Sequence, residues 1–78
     1  MEHYFALFQG FQGDLIGPFK SEARRDFEAA KVVIQQCWTV IDFVYFMERR
    51  SDGAMMLYRM EPGMVLEQAK RGQAPPFF

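Results

Sequence analysis

The stretch from Asp42 to Met60, DFVYFMERRSDGAMMLYRM, decides the fold. Two arms rich in aromatic, aliphatic and methionine side chains flank a charged turn. Asp52 and Gly53 both tolerate the positive φ that a tight turn demands, so the stretch reads as a β-hairpin. Strands are expected near 39–49 and 54–60. Periodicity alone would also allow 38–46 to continue a preceding helix. The β-branched and aromatic density of Thr39, Val40, Ile41, Phe43, Val44, Tyr45 and Phe46 favours a strand instead.

With Asp52 and Gly53 as the two central turn residues, Ser51 faces Ala54, and the register pairs Arg49 with Met56, Met47 with Tyr58 and Tyr45 with Met60. Alternation then gathers Ile41, Phe43, Tyr45, Met47, Tyr58 and Met60 on one face, which is assigned to a covering helix. The opposite face carries Val44, Phe46, Met55 and Leu57, framed by Asp42, Glu48, Arg50, Arg59 and Glu61. An apolar centre inside a charged rim is the layout of an interface. The expected partner-binding residues are therefore Asp42, Val44, Phe46, Arg50, Met55, Leu57 and Arg59. Phe46 and Arg59 are expected to stack as cross-strand neighbours. Asp42 interrupts an apolar strand, where a charge is costly unless exposed or paired, and is placed on the rim.

Upstream of the hairpin, Ser21 is suited to cap a helix, with Glu22 in its first turn. Ala23, Phe27, Ala30, Ile34 and Cys37 recur every three or four residues as its apolar stripe. Before it, His3 to Gln9 reads as a strand with Tyr4, Ala6 and Phe8 on one face and Phe5 and Leu7 on the other, suiting a central position. The FQGFQG repeat at 8–13 supplies turn glycines. A short second strand at 14–16 is ended by Gly17-Pro18. Downstream, Pro62-Gly63 breaks the second arm. A short helix is expected over 64–71, closed by Gly72, followed by an extended tail at 73–78. The sum is one α+β domain over 1–72, ordered β(β)αββ with a short C-terminal helix, a helix packed on an antiparallel sheet of three or four strands.

Composition narrows the function. The chain has 78 residues, half of them hydrophobic and 17% aromatic, with nine Phe, which suits one small core with aromatic surface to spare. A net charge of −1 gives no basic field for counterion-release binding and argues against nucleic acid. No apolar run approaches the roughly eighteen residues of a spanning helix, and the N-terminus lacks the basic region of a signal peptide. The single cysteine, Cys37, forms no intrachain disulfide and is expected as a small buried residue beside Trp38, in a reducing, cytoplasmic setting. His3 is the only histidine, so no His/Cys metal cluster can be assembled, and no metal or cofactor is expected. Ser21 and Ser51 suit a cap and a turn better than a nucleophile. The glycines at 10, 13 and 17 lack the Lys-Ser/Thr pair of a phosphate loop.

These exclusions leave a small non-enzymatic protein that occludes a partner protein's surface as inhibitor or adaptor. In size and style it resembles the short stand-alone proteins with which phages and mobile elements block host machinery or host defence. The order of strand, helix, two strands and helix, with the aromatic run FVYF, resembles the RNA-recognition fold and amino-acid-sensing ferredoxin-like domains. That resemblance implies nucleic-acid or nucleotide binding as the alternative, with Arg49, Arg50 and Arg59 as its basic patch. The basic-Gly-aromatic signature and the final strand of that fold are missing here. Pairing of the rimmed face with a second copy, as a homodimer or assembly subunit, is the further alternative.

Overall fold

Two hairpins, each followed by a helix, build the molecule. The computed structural model describes residues 1–37 and 40–71. Trp38, Thr39, Gly72 and the expected tail at 73–78 lie outside the described residues. β1 spans Glu2–Gln9 and β2 Gln12–Phe19, followed by α1, Glu22–Gln35. β3 spans Phe43–Arg49 and β4 Met55–Met60, followed by α2, Pro62–Arg71. The sheet is antiparallel with strand order β2-β1-β3-β4, so each hairpin contributes one central and one edge strand. This is the expected α+β architecture.

Local chemistry explains most boundaries. The Ser21 hydroxyl accepts from the Arg24 N–H at 3.1 Å, and Glu22 lies in the first turn of α1. Pro62 opens α2, where its missing N–H would have had no intrahelical partner. Asp42 clamps the first hairpin: its carboxylate accepts from the Gly10 N–H at 2.7 Å, while its own N–H donates to the Phe8 carbonyl at 2.9 Å. A charge in an apolar run is thus explained by a turn that needs an acceptor.

Three expectations are corrected. β2 does not end at Gly17-Pro18 but continues to Phe19. It is an edge strand with a register shift opposite His3 to Phe5, and edges and bulges tolerate a proline without a ladder donor. The buried stripe of α1 is Arg25, Ala29, Ala30 and Val33, while Phe27 and Ile34 are only half-buried and Ala23 and Cys37 are exposed. α1 must cover the sheet and also meet α2, and small residues permit that close approach.

The hairpin register is the third. Arg50 N–H donates to the Ala54 carbonyl, and Gly53 N–H donates back to the Arg50 carbonyl, each at 2.9 Å. The loop therefore holds three residues, Ser51 to Gly53, with Gly53 at φ +88° and the Asp52 carboxylate accepting from Ala54 N–H. A three-residue loop with glycine in the left-handed region is a standard hairpin closure. Arg49 consequently pairs with Met55, Met47 with Leu57 and Tyr45 with Arg59, one residue away from the expected pairing. β4 keeps its expected orientation, and β3 is inverted. Val44 and Phe46 are 0% and 2% exposed in the core, not on the interface face.

The core lies between the sheet and both helices. Phe5, Leu7, Val44 and Phe46 meet Ala29, Ala30 and Val33 of α1 and Val65 and Ala69 of α2. Phe5 also stacks on Phe19, ring centroids 5.7 Å apart. Both helices thus occupy one side of the sheet.

Candidate interaction surface

The cross-strand pairs place four rows of side chains on the side of the sheet away from the helices. Leu15, Ala6, Tyr45 and Arg59 form one row, and Tyr4, Met47 and Leu57 another. Gly13, Phe8 and Phe43 lie toward the Gly10 turn, and Glu2, Arg49 and Met55 toward the opposite end. No described element covers this face. Two hollows mark it: one of about 420 Å³, floored by Ala6 and walled by Phe8, Phe43, Tyr45, Met47 and Leu57, and one of about 370 Å³ beside Tyr4, Leu15 and Met55.

The rings are partly used within the face. Phe8 and Tyr45 meet edge to face at 5.2 Å, and the Arg59 guanidinium lies 3.9 Å above Phe43. Arg59 therefore stacks on Phe43 rather than on Phe46. The most prominent groups are aliphatic: Leu15 and Leu57 are each 61% exposed and Met55 51%. At the margin, Arg49, Arg50 and Arg59 make only long, exposed ion pairs, to Glu2 at 4.0 Å, Asp52 at 3.7 Å and Glu61 at 4.0 Å. Such pairs hold little energy and can exchange partners.

Of the expected partner-binding residues, Met55, Leu57 and Arg59 share this open face, and Arg50 stands at its hairpin edge. Asp42 is engaged in the Gly10 turn, and Val44 and Phe46 are withdrawn into the core. Tyr4, Phe8, Leu15, Phe43, Tyr45 and Met47 join the surface in their place. Tyr4 and Phe8 were legible as one face of β1, but nothing in the sequence says which face the helices take.

A polar cluster interrupts the helix-side core. His3 and Glu48 are direct cross-strand partners, 5% and 8% exposed, and Arg25 reaches them from α1. Arg25 donates through Nε and Nη2 to Asp26 Oδ1, each at 3.1 Å, and lies 4.2 Å from the Phe46 ring centroid. Burial pushes the Asp26 carboxyl above its ordinary value of 3.8, opposed by the adjoining Arg25 charge and hydrogen bond. The cluster opens into a cleft of about 550 Å³ bordered by Glu22, Tyr58, Met60, Gln68 and Arg71.

No protein-family model matches the chain, and no curated protein or solved structure matches it either.

Proposed function

We propose that the protein is a non-enzymatic binding module that occludes a partner protein through the open face of its sheet, as an inhibitor or adaptor does. The carrying observation is an antiparallel sheet whose two described helices lie on one side, leaving Tyr4, Leu15, Tyr45, Met47, Met55 and Leu57 without a cover among the described residues. Contiguous apolar surface beside a polar rim is how soluble proteins mark a partner site. The rim chemistry narrows the partner. Arg49, Arg50 and Arg59 lie at the β3–β4 side with weak internal pairs, so the complementary surface is apolar at its centre and carboxylate-bearing at its edge.

The test is cross-linked capture from the native host with wild type, Leu15→Ser/Leu57→Ser, and Arg49→Glu/Arg50→Glu. Both variants alter exposed groups and should keep the wild-type melting temperature. A protein captured by wild type, lost with the Ser pair and weakened by charge reversal supports the reading. Capture unchanged by both variants overturns it.

One observation favours a second reading, single-stranded nucleic acid. Tyr4, Phe8, Phe43 and Tyr45 sit on the open face of the two central strands, where aromatic rings can stack bases. Fluorescence polarisation with a labelled RNA oligonucleotide separates the two: steep salt dependence, lost with the three arginines, belongs to the nucleic-acid reading.

A further inference from the structure

The cleft on the helix side has a chemistry that the open face does not use. His3 Nδ1 is buried, has no hydrogen-bond partner, and faces Glu48 Oε1 at 3.8 Å. Glu48 Oε1 accepts from Arg25 Nη1 at 3.5 Å, the outer limit of a hydrogen bond. Burying an imidazole nitrogen without a partner is costly. Glu22, exposed in the first turn of α1, completes a group in which one ligand atom from each of the three residues lies within 4.8 Å of the others.

We infer that His3, Glu48 and Glu22 form a binding site for a divalent transition-metal ion of the zinc type, reached through the cleft between the start of α1 and the end of α2. One imidazole and two carboxylates are a donor set that zinc accepts, with a coordination position left for solvent. Oxygen-only ions such as magnesium have less use for the imidazole. Binding an ion would draw the exposed Glu22 side chain inward and narrow the 3.8 Å separation of His3 Nδ1 and Glu48 Oε1. The Arg25 charge beside Glu48 opposes the ion, but its two shorter contacts go to Asp26 and its planar face to Phe46, so a metal on Glu48 displaces only the 3.5 Å contact. The cleft as a whole is lined by three carboxylates, of Glu22, Asp26 and Glu48, against the guanidinium groups of Arg25 and Arg71, which leaves it anionic.

The experiment is calorimetric titration of the full chain with zinc, paired with cobalt substitution read by visible absorption, in a Cys37→Ser background that removes the thiol. Saturable one-to-one binding, a rise in melting temperature and a cobalt spectrum of low coordination number are expected. Glu22→Gln alters an exposed residue, preserves the fold and should weaken zinc binding by about tenfold or more, and His3→Asn should abolish it. Absence of stoichiometric binding, or equal affinity in wild type and Glu22→Gln, overturns the site. Because Glu22→Gln leaves the open face intact, failure here is distinguishable from failure of the partner-binding reading.

Discussion

Asp26 shows how a single residue on the helix side carries a pH signature. Its carboxyl is pushed up by burial more than the neighbouring Arg25 pulls it down. The folded protein then holds that proton more tightly than the unfolded chain, so ionising Asp26 costs stability. The cost is absent below the ordinary value of 3.8, grows as the pH rises through the raised value, and is complete above it. Asp26→Asn should therefore lose a downward component of the stability-against-pH curve in the weakly acidic range. Urea unfolding of both proteins at a series of pH values checks this, and parallel curves would refute it. Asp42, by contrast, is exposed, and its structural part is to accept the Gly10 N–H at 2.7 Å.

At the scale of elements, the β3–β4 hairpin is set by a contest between turn preference and core. An Asp-Gly pair favours a two-residue loop, which would leave Tyr45 opposite Met60. The structure adds Ser51 to the loop, and Val44 and Met60 then lie opposite each other on the helix side. Deleting Ser51 leaves Asp52-Gly53 as a two-residue loop between Arg50 and Ala54, so the favoured turn and the pairing that buries Val44, Phe46 and Met60 then agree. Register fixed by a buried face is expected to prevail. The variant should keep the Tyr45–Arg59 pairing in nuclear Overhauser spectra and stay within about 1 kcal/mol of wild type in urea unfolding. A pairing shifted by one residue would show that the buried face does not govern the register. This contest also explains what the sequence leaves illegible. Alternation in β1 and β4 and the Ser21 cap could be read from local pattern, and so could the order of elements. The face of β3 could not, because apolar residues fill both of its sides and one loop residue decides between them. The meeting of His3 with Glu48 and Glu22 was hidden for a related reason: β1, β3 and α1 bring together residues far apart in the chain.

The whole molecule is a slab, its Cα atoms extending 36 × 31 × 15 Å, the thin dimension being one layer of sheet and one of helix. A two-layer fold of this size has a single core, so its two sheet faces must differ sharply in what a substitution does. Phe46 is 2% exposed, packed with the Val44 and Val65 cluster and covered by the Arg25 guanidinium at 4.2 Å. Truncating such a ring costs about 3–5 kcal/mol, and serine adds an unpaired hydroxyl. A domain of this length has on the order of 4–12 kcal/mol in all, so Phe46→Ser should melt far lower or fail to fold. Leu15 and Leu57, each 61% exposed on the other side, should give a Leu15→Ser/Leu57→Ser protein within about 1 kcal/mol of wild type, since substitutions of exposed residues rarely cost more. Thermal melts followed by circular dichroism test the contrast. Sedimentation of the same proteins across a concentration series shows whether the open face pairs with its own copy: a wild-type dimer that the Ser pair dissociates would assign that face to self-association, whereas a monomer at every concentration keeps it for a different partner. A Ser pair as unstable as Phe46→Ser would mean that the open face is instead part of the protein's own core.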